Sequence, residues 1–146
     1  MGRRLLVTLV CALALASAAG SATVIPGFRS PSGNIQCLVL PGKPAFLYCS
    51  LLHADYAKKL IAYCAQPRIG VDWAGFTLGQ RTKGSVECSG GAMVDTTSEH
   101  LQVVTLAYGK TWRRGVFTCV SRTTGVTCRN PRGHGLFLSR QSYRLF

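Results

Sequence analysis

Acid is what this chain most lacks: five Asp and Glu stand against 17 Lys and Arg, and none follows Glu99. The C-terminal third is therefore purely cationic, carrying Lys110, Arg113, Arg114, Arg122, Arg129, Arg132, Arg140 and Arg144. Also missing are a Walker sequence, GxGxxG, HExxH, a GxSxG elbow and Ser-x-x-Lys, which removes the common signatures of nucleotide, zinc and acyl-transfer sites. No Cys-x-x-Cys occurs, and beyond residue 22 the nearest cysteines are nine positions apart, which argues against zinc and thioredoxin-like redox sites. No cofactor is expected. Repeats of period 20 to 50 and low-complexity tracts are absent as well.

What is present begins with an export signal over residues 1–22. Arg3 and Arg4 precede an apolar run from Leu5 to Ala16, and small residues follow from Ser17 to Ala22. Cleavage after Ala22 satisfies the small-x-small pattern, with Ala18 and Ala19 as other candidate sites. The run is shorter than the roughly 20 residues needed to cross a bilayer, and no later segment approaches that length. Cys11, with apolar neighbours, reads as part of the signal core rather than a lipidation site. Removal leaves 124 residues, the size of one domain. Without Arg3 and Arg4, 15 basic residues face five acidic ones, a net charge of about +10. Such a field attracts polyanions; its competing role is merely to keep an exported protein soluble.

An even set of six cysteines in a short exported chain points to three disulfides. Asn34 to Leu40 and Ala45 to Leu51 flank Pro41-Gly42-Lys43-Pro44, a turn that reads as a hairpin. With Cys37 opposite Cys49, alternation gathers Ile35, Cys37, Val39, Leu47, Cys49 and Leu51 on one apolar face. At the far end Val116 to Ser121 and Gly125 to Arg129 repeat the construction. Cys119 opposite Cys128 then puts Phe117 and Val126 on the core face, with Arg114, Arg122, Arg129, Thr118 and Thr127 on the other. Opposed residues of an antiparallel pair lie within disulfide reach. Cys64 and Cys88 remain as the third pair. Six cysteines allow 15 connectivities, and this sequential one is the expectation. Each bridge, closing a loop of roughly 10 to 25 residues, is worth about 3 kcal/mol.

Between the hairpins, Tyr56, Leu60 and Tyr63 recur at helical spacing over Asp55 to Cys64, and Pro67 ends the pattern. Val71 to Leu78, Ser85 to Cys88, Leu101 to Leu106, Thr111 to Val120 and Leu136 to Leu138 read as further strands. The expected fold is mainly β, a small antiparallel barrel or sandwich with one short helix, stapled by three disulfides. Residues 23–33 are expected to be an N-terminal tail and first turn, and residues 34–146 a single domain.

Trp112 and Arg114 share strand parity with Val116 and Thr118, so Trp112, Arg114, Arg122 and Arg129 form the candidate anion-binding surface. A Trp beside guanidinium groups can stack on bases or sugars while the charges hold phosphate or carboxylate. The competing reading packs Trp112 into the core. For catalysis, the candidates are His100 or His134 with Glu87 or Glu99, an acid and base pair that can cut RNA with an arginine steadying the phosphate. Against this, Glu99 and His100 are adjacent on a strand and point to opposite faces. His134, within Gly133-His134-Gly135, suits a turn equally well. His53 reads as an exposed loop residue.

The order Phe28-x-Ser30-Pro31-Ser32-Gly33-Asn34-Ile35-x-Cys37, Leu106-x-Tyr108-Gly109, Phe117-x-Cys119, Gly125-Val126-x-Cys128-x-Asn130 and Gly133-His134-Gly135-x-Phe137-x-x-Ser139-Arg140-x-x-Tyr143-x-x-Phe146 resembles a six-cysteine domain family of unknown function found in exported actinobacterial proteins. The likeness spans nearly the whole chain after the signal. It departs at Asp72-Trp73-Ala74, where the family has Asp-Trp-Gly. The resemblance implies a bacterial envelope or extracellular setting and a six-cysteine framework; it supplies no activity and no catalytic residues.

Two functional classes are therefore expected. The first is an exported, non-catalytic domain, secreted or envelope-associated, that binds an anionic polymer, a lipid headgroup or an envelope protein. The second is a small secreted hydrolase such as a nuclease.

Overall fold

Period-two alternation along most of the chain builds two sheets whose apolar faces meet. The structure, a computed structural model, describes residues 23–67, 69, 71–91, 93–94 and 99–146, the side chain of Glu99 excepted. The expected export signal lies outside the described residues. The first sheet contains β1 (Thr23–Arg29), β2 (Ile35–Leu40), β3 (Phe46–Leu51), β4 (Asp72–Leu78), β5 (Gly84–Ser89) and β6 (Glu99–Thr105), with one helix, α1 (Ala57–Cys64), between β3 and β4. The second contains β7 (Thr111–Arg114), β8 (Phe117–Arg122), β9 (Gly125–Arg129), β10 (Gly135–Leu138) and β11 (Tyr143–Leu145). Strand orders are β5-β4-β3-β2-β1-β6 and β11-β10-β9-β8-β7. Two separate sheets make this a sandwich rather than a closed barrel.

The register places Cys37 opposite Cys49 and Cys119 opposite Cys128, as strand parity requires. All three expected bridges are present: Cys37–Cys49, Cys64–Cys88 and Cys119–Cys128. The two cross-strand bridges come from opposite sheets and meet in the middle of the core, where the sulfurs of Cys37, Cys49 and Cys128 lie within 4.8 Å of one another. Phe28, Leu47, Phe76, Phe117 and Leu136 pack around them, each almost wholly removed from water. Burial of such a side chain is worth about 1.5–3 kcal/mol.

An eight-residue helix is too short to persist alone, and α1 has no side-chain cap. It is held by tertiary contacts instead. Leu60 and Cys64 are buried, Cys64 is bonded to Cys88 on β5, and Tyr56 at its start packs against Trp73, Phe76 and Tyr143. The Tyr56 hydroxyl also donates to the Ser139 carbonyl, at 3.1 Å, which ties the helix to the second sheet.

Residues 23–29 are not the expected tail. They form β1, an interior strand, antiparallel to β2 and parallel to β6. Pro26 and Gly27 disguise it, since both are poor strand residues. Pairing with β2 covers only Gly27 to Arg29, so Pro26 sits where β6 is the one strand partner and its missing N–H costs least. Gly27 is required by crowding, because a Cβ there would overlap the Cys37 carbonyl. The reverse face of the first sheet is also partly covered: Ile25, Leu38, Leu40 and Tyr48 form a second cluster, against which Phe46, Met93, Val94 and Val103 pack.

Candidate functional site

Alternation in the second sheet sends Phe117, Cys119, Val126, Cys128, Leu136 and Leu138 inward, all of them buried. The opposite, outward face is set by register. Arg113 lies opposite Thr118, which lies opposite Arg129, and Arg129 is paired with Gly135. In the adjoining row Thr111, Val120, Thr127, Phe137 and Arg144 follow one another across all five strands. Arg122 closes the face at one end, opposite Gly125. Four arginines, 113, 122, 129 and 144, thus occupy one face, and the sequence from residue 100 onward supplies no acid to offset them. Arg113 and Arg129 are two strand spacings apart, about 10 Å.

Two of these arginines are held in place. The Arg129 guanidinium lies 4.6 Å from the centre of the Phe146 ring, and its Nη1 donates to the Gly133 carbonyl at 3.2 Å. Arg144 lies 5.5 Å from the same ring centre. Both aromatic rings pack against glycines of the sheet: a Cβ on Gly125 would come within 2.9 Å of Phe137, and one on Gly135 within 2.9 Å of Phe146. Glycine is thus needed beside each ring, and both rings are half-buried.

Of the four residues expected to form the surface, the structure places Arg122 and Arg129 on this face and Trp112 and Arg114 on the other. The expectation assumed an uninterrupted strand from Thr111 to Val120. Gly115, with φ +55°, instead begins a two-residue turn that folds β7 back onto β8. Parity is reset across the turn, so Trp112 faces the core side opposite Cys119 and packs on Phe28 at 5.1 Å between ring centres. Arg114, opposite Phe117, shares that side and is exposed at the edge. Arg113 and Arg144 take their places outside. Arg113 was hidden by the parity error, and Arg144 by the shortness of β11, whose three residues present too little pattern.

The candidate acid and base residues are dispersed. His100 lies on β6 and Glu87 on β5, the opposite edges of the six-stranded sheet. His134 lies in the connection from β9 to β10, in the other sheet. Glu87 is half-buried and accepts a weak bond from Thr77 Oγ1 at 3.4 Å. His53 alone of the three histidines lines a groove of about 390 Å³ where loops of the two sheets meet. The buried sulfur cluster of Cys37, Cys49 and Cys128 offers no thiolate, because each sulfur is already in a disulfide. Two tyrosines titrate late: burial raises Tyr56 well above the ordinary phenol value, with smaller contributions from Tyr143 and Asp55, and burial likewise raises Tyr48.

No curated protein and no solved structure matches the chain. A family match does exist and covers residues 5–146, both sheets and all six bridging cysteines included. The chain therefore belongs to a family of unknown function, DUF6636.

Proposed function

We propose that this protein is an exported, non-catalytic domain of the bacterial envelope that binds an extended anionic polymer through the outward face of its second sheet. The observation that carries this reading is the gathering of Arg113, Arg122, Arg129 and Arg144 on one acid-free face. Arginines spaced about 10 Å apart across a sheet match a ligand with repeated charges better than a single small anion. Arg129 is held between a carbonyl and a ring before any ligand arrives, so little side-chain entropy is lost on binding. Phe137 and Phe146 are half-buried against glycines rather than fully exposed, which favours a soluble polymer over insertion into a lipid surface. Three disulfides suit an oxidising, exported setting, and the sequence resemblance supports the bacterial envelope.

A matched pair of charge reversals tests the reading. Arg129→Glu with Arg144→Glu changes the face, whereas Lys58→Glu with Lys59→Glu makes the same net change on the exposed side of α1. Retention on heparin, and binding to polyphosphate, should weaken strongly in the first protein and little in the second, with a flatter salt dependence only in the first. Equal losses in the two would show that net charge alone is responsible and would overturn the assignment of the face.

A further inference from the structure

A second site lies at one end of the sandwich, where loops of both sheets converge on a groove of about 390 Å³. That volume falls within the range of small-ligand clefts, about 300–1,000 Å³. Its floor includes Ile35, Gly125 and Val126, and its walls carry hydroxyl and amide groups such as Ser32, Thr123, Thr124 and Gln141. Arg122 and Arg140 supply positive charge, Arg140 while paired with Asp55; Tyr108 presents a half-exposed ring, and among the described residues no carboxylate lines the groove. From these features we infer that the groove binds a single sugar unit bearing a carboxylate or phosphate. Guanidinium groups take planar or tetrahedral oxyanions by paired hydrogen bonds, the hydroxyl and amide walls suit a polyhydroxylated ring, and an exposed tyrosine offers it a flat apolar surface.

The groove is formed without a ligand, because each wall is braced from behind. Asn34 Nδ2 donates to the His53 carbonyl at 2.9 Å, and the His53 amide donates to Asn34 Oδ1 at 2.8 Å, which fixes two loops against each other. The buried Ser30 accepts from the Ile35 amide through Oγ, and the buried Ser139 accepts from the Ser142 amide in the same way. Arg140 is anchored twice by Asp55: its carbonyl accepts from the Asp55 amide at 2.8 Å, and its Nε donates to Asp55 Oδ1 at 3.2 Å. The Gly109 amide donates to the Ser121 carbonyl at 2.8 Å and sets the turn that carries Tyr108. A preformed wall loses little order on binding. Four segments that carry the family likeness, Ser30 to Ile35, Tyr108, Gly125 to Val126, and Ser139 to Arg140, meet here although they are distant in sequence.

This site is independent of the arginine face, apart from Arg122 at the boundary between them. The test is titration of the oxidised, isotopically labelled protein with glucuronate, glucose 6-phosphate, glucose and inorganic phosphate, followed by amide resonances. Glucuronate, glucose 6-phosphate or both should shift Ser32, Thr124 and Gln141, with glucose and inorganic phosphate each about tenfold weaker or more. The tighter of the two sugar anions identifies carboxylate or phosphate as the natural group. Arg140→Gln and Tyr108→Ala, both at exposed positions, should each weaken binding by about tenfold or more, while Arg129→Glu with Arg144→Glu leaves it unchanged. The inference is overturned if none of the probes shifts these resonances, if glucose or phosphate binds as well as the sugar anions, or if the Arg140 and Tyr108 variants bind normally.

Discussion

Removing the bridge between α1 and β5, by Cys64→Ala with Cys88→Ala, should lower stability by about 3.4 kcal/mol. The size follows from the 24-residue separation of its cysteines, against 12 and nine for the other two. The same loop-closure relation gives about 2.8 and 2.6 kcal/mol for those shorter bridges. The longer bridge is also the cleanest to remove: Cys64 is buried but Cys88 is only half-buried, whereas the other four cysteines all belong to the buried core and their loss would leave a void there. Tyr56 and Leu60 should keep α1 docked, so the variant should fold. Urea unfolding followed by tryptophan fluorescence provides the assay, since Trp73 lies beside Tyr56. The midpoint should fall, with an unchanged native far-ultraviolet circular dichroism spectrum, while the native fluorescence rises because Trp73, opposite Cys88, loses a quenching disulfide. A loss below about 1 kcal/mol would refute the reasoning, because it would mean that the unfolded chain gains little freedom when this loop is opened. Reduction of all three bridges removes about 9 kcal/mol, comparable to the whole stability of a typical domain, and should unfold the protein.

Trp112→Ala should destabilise the protein by about 3 kcal/mol, the low end for a buried tryptophan because Trp112 is half-buried, through lost packing on Phe28, yet leave polymer binding by the folded fraction unchanged. Chemical denaturation and heparin elution, measured on the same sample, check both halves; weakened binding at full folding would return Trp112 to the ligand surface. Stability should also fall in alkali. Burial raises the folded-state pKa of Tyr56, so its contribution is complete below the ordinary value of about 10 and is lost as pH rises from there toward the higher folded value. Urea midpoints between pH about 9.5 and about 11 should therefore decline, less steeply in Tyr56→Phe. Equal slopes in the two proteins would contradict that origin.

Disulfide pairing and the two hairpins were legible because cysteine positions, turn residues and period-two alternation constrain one another locally. Cys37 can face Cys49 only in the register that also gathers Ile35, Val39, Leu47 and Leu51 on one side. Helix α1 was legible from Tyr56, Leu60 and Tyr63, with Pro67 beyond. β1 was concealed by Pro26 and Gly27, and its placement depends on β6, more than 70 residues away, which no local pattern can reveal. The outward arginine face was half legible: Arg122 and Arg129 follow from alternation within one hairpin, while Arg113 depends on a turn at Gly115 that a single glycine signals only weakly. The groove at the sandwich end was not legible at all. Its residues come from separate loops of both sheets, and only the packing of one sheet on the other brings them together.

Amide resonance mapping of the labelled, oxidised protein with a heparin oligosaccharide tests the central claim most directly. Perturbations should concentrate at Arg113, Thr118, Thr127, Arg129, Phe137 and Arg144, on one face of the second sheet. Perturbations centred on Lys58 and Lys59 of α1, or spread evenly over every basic residue, would contradict it.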